Sequence, residues 1–307
     1  MAEYSIGVDL GGTNLRAAAI TTNGEVLSKI WGRAQLAHGP GAVVDDIVRS
    51  IHKLREEMGP RKLLGVGVCV PGYILLDKGQ ILGSNNLPDF EGFPIRDVIE
   101  QKLGTRVVLE NDANAAALGE HWMGAGKGVE DLVLLTLGTG VGGGIISRGK
   151  ILHGFLGMAG ELGHMTVDPN GNPCGCGNQG CLEKHASATA ITGMARMMHL
   201  GDGPEITSED VYNLAVQGDE KAQRIFEIVG RSLGIAIANL INIFNFPLYL
   251  LSGGPLPAWN LFAPAMLAET RRRAFAFRTT PTRVEKGTLG SEAGLFGAAH
   301  LGGGALQ

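Results

Sequence analysis

Two short glycine turns, each set between apolar strands and lying in different halves of the chain, constrain the fold of these 307 residues more than any other feature. The first is Val8-Asp9-Leu10-Gly11-Gly12-Thr13. The second is Leu137-Gly138-Thr139-Gly140-Val141-Gly142-Gly143-Gly144. Glycine makes up 48 residues, roughly twice its usual share of about 7%. The glycines fall in small clusters between apolar runs, so they read as tight turns and not as a low-complexity tract. A chain that repeats strand–glycine turn–strand in each half is expected to fold as two α/β lobes, each opening on a meander.

The rest of the pattern fits that expectation. Tyr4 to Leu10 reads as a strand, followed by a second through Ala17 to Ile20 and, after the hairpin signal Asn23-Gly24, a third over Glu25 to Trp31. Ala42 to Met58 has helical periodicity, with Val43, Ile47, Ile51 and Leu54 on one face. Leu63 to Val70 is a buried strand ended by Pro71-Gly72, Ile95 to Leu103 a short helix, and Arg106 to Leu109 a strand. Asn111-Asp112-Ala113-Asn114 then opens an Ala-rich helix through Trp122. After the second glycine turn come helices, notably Gln223 to Phe244. The strand Leu248 to Leu251 follows, then the turn Ser252-Gly253-Gly254-Pro255, a helix near Ala258 to Ala274, a short strand near Arg283 and a last helix from Ser291. The expected division is a smaller lobe of 1–115 with about 290–307, and a larger lobe of 116–289.

Charge and composition exclude some classes. With 26 Lys and Arg against 30 Asp and Glu the net charge is −4, and no basic stripe is present. This argues against nucleic acid as the main partner. The N-terminal residues lack the basic and apolar regions of a signal peptide. No uninterrupted apolar run approaches the ~18 residues of a membrane span. A cytoplasmic protein with reduced cysteines is the expectation.

Gly138-x-Gly140-x-x-Gly143 formally matches a dinucleotide fingerprint, and Glu161 supplies an acid about 20 residues on. That motif needs a helix straight after its glycines. Here the following residues, Gly144 to Leu152, read as strand, turn and strand. A P-loop is excluded as well, since Lys127 is followed by Gly128 and position 121 is not glycine. Either hairpin alone could be only a tight turn. Two at equivalent places favour a pair of phosphate cradles, with bare backbone N–H groups approaching from both sides and Thr13 and Thr139 adding hydroxyls. Asp9 would hold a magnesium ion through water. Few Lys or Arg flank these turns, so magnesium and backbone dipoles are expected to supply most of the positive field.

Three of the four cysteines, Cys174, Cys176 and Cys181, lie within eight positions; the fourth, Cys69, sits in an apolar strand and reads as a small core residue. A disulfide across one residue would be strained, and a redox pair would usually be Cys-x-x-Cys. His164, ten residues before Cys174, completes His-x9-Cys-x-Cys-x4-Cys, a set that matches a closed tetrahedral zinc site. Structural zinc contributes about 10–16 kcal/mol in small peptides, against ~2–4 for a disulfide. Glu161 and Glu183 flank that set. They could be ordinary surface charges, or the metal loop could fix them with His164 around one point. Asp112, where a buried strand becomes a helix, could be a helix N-cap or a base that accepts a hydroxyl proton during phosphoryl transfer.

Taken together these residues resemble the ROK family of sugar kinases and sugar-responsive repressors, most closely its bacterial glucokinases. The resemblance rests on Asp9-Leu-Gly-Gly-Thr-Asn, Glu110-Asn-Asp-Ala-Asn, Leu137-Gly-Thr-Gly-Val-Gly-Gly-Gly, Gly160-Glu-Leu-Gly-His and Cys174-Gly-Cys-Gly-x-x-Gly-Cys-Leu-Glu. It implies the actin-like ATPase fold, in which two RNase H-like lobes close over a cleft. It also implies roles. Asp112 would be the general base, and Gly72, Asn86 and Asn111 would belong to the sugar site. Glu161, His164 and Glu183 would hold the sugar near its anomeric end, His164 using one ring nitrogen for zinc and the other for sugar. Asp9, Gly11, Gly12, Thr13, Gly138, Thr139 and Gly140 would serve the phosphates, and Gly253 and Gly254 would flank the adenosine. ATP, Mg2+ and structural Zn2+ are the implied cofactors, and a homodimer or tetramer the implied assembly. Glucose leads among the substrates, with N-acetylmannosamine, N-acetylglucosamine, mannose and fructose as alternatives. A sugar-sensing protein without catalysis is the rival from another class. The phosphate strand beginning at Tyr4, which leaves no room for a helix-turn-helix, and the presence of Asp112 weigh against it.

Overall fold

A computed structural model of the protein describes residues 3–84, 86–201 and 205–304. In chain order it contains β1 (Tyr4–Leu10), β2 (Asn14–Thr21), β3 (Val26–Arg33), α1 (Gly39–Met58), β4 (Leu63–Val70), β5 (Tyr73–Leu75), β6 (Gln80–Gly83), α2 (Ile95–Leu103), β7 (Val107–Asn111) and α3 (Asp112–Met123). These are followed by β8 (Leu132–Leu137), β9 (Val141–Ser147), β10 (Lys150–Ile151), α4 (Glu183–Ala186), α5 (Ala188–Met197) and α6 (Ser208–Val216). The chain closes with α7 (Glu220–Phe244), β11 (Leu248–Gly253), α8 (Trp259–Arg273), α9 (Phe275–Thr279), β12 (Arg283–Lys286) and α10 (Ala293–Gly302).

The repeat suggested by the glycine turns is a repeat of topology. One five-stranded sheet has the order β3-β2-β1-β4-β7 and the other the order β10-β9-β8-β11-β12. In the first, β1, β2 and β3 form an antiparallel meander while β4 and β7 add in parallel on the far side of β1. In the second, β11 runs parallel to both β8 and β12, and β10 folds back on β9. Arg148 and Gly149, both at positive φ, make the tight turn between β9 and β10. A strand, and no helix, therefore follows Gly138 to Gly143, and this removes the dinucleotide reading.

The chain forms two compact units, Met1–Glu130 with Gly144–Gly160 and Thr288–Gln307, and Asp131–Gly143 with Glu161–Gly287. The first is the larger, and it extends beyond the 1–115 plus 290–307 expected from sequence. The physical reason is the contact between α3 and α10. The helix backbones approach closely at glycines, where a Cβ on Gly119 would overlap the carbonyl oxygen of Ala293 and one on Gly297 that of Ala115, while Trp122 packs on Phe296 and His300 at one end. The other side of α10 meets the sheet the same way, Gly7 against the Leu295 carbonyl and Gly67 against that of Ala298. Much of the glycine surplus is thus spent on close backbone approach. We expect Gly67→Ala to cost about 3 kcal/mol, the upper part of the usual overpacking range, read as a lower urea midpoint. An unchanged midpoint would show that this packing gives way easily.

On the opposite face of the first sheet, α1 buries Val43, Val44, Ile47, Ile51 and Leu54 against Ile6, Val8, Val66 and Val68. In the second unit the main core element is α7, which packs on α8 through Gly230 and Gly234. Among the described residues α7 is the one helix long and apolar enough to cross a membrane, and 67% of its apolar window is buried within the protein.

Candidate active site

In the first unit the turn Gly11–Thr13 closes with Gly11 N–H donating to the Asn14 carbonyl at 2.9 Å. The antiparallel register then sets Arg16 directly across from Asp9. Arg16 Nη1 lies 3.8 Å from Asp9 Oδ2, donates to the Ser291 carbonyl at 2.7 Å and lies over the Trp31 ring, 4.9 Å from its centroid. Few cations are expected beside the glycine turns, and one guanidinium, that of Arg16, stands beside the first. Burial raises the Asp9 carboxyl above its ordinary range, against the opposing pull of Arg16 and of the Cys69 thiol. Cys69 is buried as expected, with Sγ 3.6 Å from Asp9 Oδ1. Burial and the carboxylates of Asp9, Asp112 and Glu110 push its thiol well above the usual value, so it is a neutral partner.

Asn111 and Asp112 occupy the junction of β7 and α3. Asn111, and not Asp112, is the N-cap: its Oδ1 accepts from Ala113 N–H at 2.9 Å and Asn114 N–H at 3.1 Å. Asp112 Oδ1 shares the Ala113 N–H at 2.9 Å, while the Asn114 N–H is taken by Asn111 alone, so the N-cap is the residue before Asp112. Asp112 is the first helical residue and half-buried. Asn111 Nδ2 donates to the Gly72 carbonyl at 3.1 Å, which brings Gly72 beside the junction. Gly72 has φ 115°, and a Cβ there would meet Gly83 O at 2.5 Å, so glycine is required. Asn86 is exposed, and its side chain stands close to Gly12.

The second unit holds the cysteine loop. One donor atom from each of His164, Cys174, Cys176 and Cys181 falls within 4.8 Å of every other. Cys176 Sγ is 3.7 Å from Cys181 Sγ, and Cys174 Sγ is 3.7 Å from His164 Nδ1. Zinc–sulfur bonds of about 2.3 Å at tetrahedral angles separate neighbouring sulfurs by about 3.8 Å, so the set fits the ion in spacing as well as in type. The loop is shaped for it locally. Cys174 N–H donates to Asn178 O at 2.8 Å and Gly177 N–H to Cys174 O at 3.1 Å. Short bridges join Pro173 to Gln179 and Thr166 to Cys181.

With Nδ1 turned to the sulfurs, His164 presents Nε2 to Glu161 Oε2 at 3.9 Å. Glu161 is raised by burial first, with the Glu183 charge adding to that effect and His164 opposing it. The three side chains named from sequence are thus close enough to feel one another. Glu183 also does something that sequence did not suggest: its Oε2 accepts the N–H of Val141 at 3.1 Å, at the exit of the second glycine turn. That turn is held further by Ala188 N–H on Gly138 O at 2.8 Å and the Thr189 hydroxyl on Thr139 O at 2.7 Å. Gly253, at φ 108°, lies against the backbone of Leu137 just before it, while Gly254 is open. A Cβ on Gly140 would overlap the Glu183 carboxylate, a flexible end that can retreat. Gly140→Ala is therefore expected to push that carboxylate aside and leave the urea midpoint unchanged. A lowered midpoint would show that the carboxylate cannot retreat.

Comparison with known proteins bears on what this arrangement serves. The model of the ROK family matches residues 5–303. A glucokinase of Halalkalibacterium halodurans is 36% identical, the match covering 97% of this chain and 94% of the relative. A glucokinase of Thermotoga maritima is 37% identical, with 96% of each chain covered. The crystal structure of a ROK family glucokinase from Streptomyces griseus in complex with glucose and AMPPNP superposes with a TM-score of 0.82 at 34% identity, covering 97% of this chain and 99% of that one.

Proposed function

The chain belongs to the ROK family, with the actin-like ATPase fold, and from that premise we propose that it is an ATP-dependent glucokinase forming glucose 6-phosphate. The observation that carries the sugar-site reading is His164, whose two ring nitrogens face opposite ways, Nδ1 toward the thiols and Nε2 toward Glu161.

In this reading the residues that bind sugar are Glu161, His164 and Glu183, with Asn86, Asn111 and the region of Gly72. Asp112 accepts the proton of the attacking hydroxyl as the bond to the γ-phosphorus forms and the bond to the β-phosphate oxygen breaks. The Asn111 cap and its bond to Gly72 fix where that carboxylate points. The turns at Gly11–Thr13 and Gly138–Gly140 are the phosphate-facing backbone, and Gly253 and Gly254 the adenosine side. Asp9 would hold Mg2+, which offsets charge on the phosphates when bound, and Arg16 adds a fixed positive charge beside Asp9. His164, Cys174, Cys176 and Cys181 would hold Zn2+, whose contribution is to keep the loop rigid. Excluding water from the reacting groups would favour the sugar hydroxyl over hydrolysis of ATP.

The reading includes a cytoplasmic location and a homo-oligomer. Initial rates with ATP and a panel of glucose, mannose, fructose, N-acetylmannosamine and N-acetylglucosamine test the substrate. Glucose should give the highest kcat/KM, by about 10²-fold or more, because a site built of hydrogen-bonding groups rejects a misplaced hydroxyl strongly. A higher value for an N-acetylhexosamine would reassign the substrate within the same reaction class.

A further inference from the structure

Glu110, the residue before Asn111, is 2% exposed. Its Oε1 accepts from the Asn111 backbone N–H at 2.9 Å and from Asn114 Nδ2 at 3.1 Å. Its Oε2 is 2.7 Å from Nε2 of His153, which stands just beyond β10 within the first unit. A buried carboxylate is costly unless a cation and hydrogen bonds satisfy it, and here the same carboxylate grips both the first turn of α3 and the strand end that leads into it. Beside the pair lies a cavity of about 400 Å³ lined in part by Arg96, Glu100, Arg106 and His153. Arg96 already donates to the carbonyls of Leu76 and Asp77 and to Asp97, and Glu100 accepts from Val107 N–H.

We propose that His153 is a positioning residue for phosphoryl transfer: paired with Glu110, it fixes the β7–α3 junction and through it the direction of the Asp112 carboxylate. The inference rests on Asp112 being the base. His153 takes no part in the chemistry itself and touches neither sugar nor phosphate in this account. Its charge state matters because the groups facing it are Glu110 from β7, Arg96 and Glu100 from α2, and Arg106. Burial lowers the imidazole, the hydrogen bond and charge of Glu110 raise it, and the balance lies above its ordinary value. A histidine raised in the folded state holds its pair fully charged below about pH 6.5 and loses the charge as pH rises through the raised value. The neutral ring can still donate Nε2–H, so the alkaline loss is graded.

Three variants test this, each measured for kcat, both KM values and melting temperature between pH 6 and 9. Displacing a catalytic group by about 1 Å can cost about 10²-fold in rate, so His153→Ala should lower kcat by about that factor with the KM for glucose within about threefold. Imidazole, small enough for the enlarged cavity, should restore activity at least about tenfold. His153→Gln, which keeps a donor without the charge, should retain most of the activity at pH 7 and lack the wild-type decline above about pH 6.5. A kcat within about twofold of wild type for His153→Ala overturns the inference. So does a loss that imidazole does not restore, or a His153→Gln profile with the wild-type alkaline decline. Asp112→Asn is the control. If it turns over normally the base assignment fails whatever His153 does; if it is slow as expected and His153→Ala behaves in one of these contrary ways, the positioning role alone fails.

Discussion

Asp112→Asn is expected to lower kcat by about 10³-fold while glucose affinity, read by titration calorimetry, stays within about threefold. General-base assistance contributes typically 10²–10⁴-fold, and an amide of the same size cannot take the proton. The substitution should leave the local structure alone because Asn111 caps α3 through Ala113 and Asn114, and the amide oxygen of an asparagine can still accept the Ala113 N–H that Asp112 Oδ1 takes at 2.9 Å. Any loss of turnover can then be assigned to chemistry and not to a frayed helix. Near-normal turnover would move the base role to another group. A parallel collapse in glucose affinity would make Asp112 a binding residue first.

The second large effect concerns the metal loop. Cys181→Ser is expected to release about one zinc per chain and to weaken glucose binding by more than about 10²-fold. Cys181 is fully buried, its Sγ lies 3.7 Å from that of Cys176, and its neighbour Leu182 donates to the Met165 carbonyl at 2.9 Å. Losing one of four ligands leaves three donors that cannot close a tetrahedron. The about 10–16 kcal/mol that structural zinc provides in small peptides indicates how much order can be lost. Glu183 begins two residues further on, so the disorder should pass to the carboxylate on Val141 N–H. Elemental analysis of protein purified without chelator, alongside calorimetry, reads both effects. Wild-type protein free of zinc, or a variant that binds glucose normally, would contradict this account of the loop.

Legibility in the sequence followed the range of the interactions. The glycine turns, the His164–Cys181 spacing and the β1–β4 run are patterns of near neighbours; the strands and helices form as expected, and the four His and Cys donor atoms gather within 4.8 Å of one another. Short or irregular pieces were harder: the β5–β6 hairpin has strands of three and four residues and too little alternation to register. The compact units divide elsewhere than the expected lobes, with α3 joining α10 across about 180 positions through glycines that look in sequence like weak helix formers. Arg16 was recoverable. A hairpin that pairs Leu10 with Leu15 necessarily sets Asp9 opposite Arg16. His153 left no such signal, since its meeting with Glu110 joins positions 43 residues apart across a fold that had first to be known.

The central claim is phosphoryl transfer from ATP to glucose, and following the reaction by ³¹P NMR with glucose, ATP and Mg2+ tests it most directly. The expected result is conversion of the γ-phosphate signal into glucose 6-phosphate with stoichiometric ADP. Glucose bound without any phosphorylated sugar, or ADP accompanied only by inorganic phosphate, would contradict it.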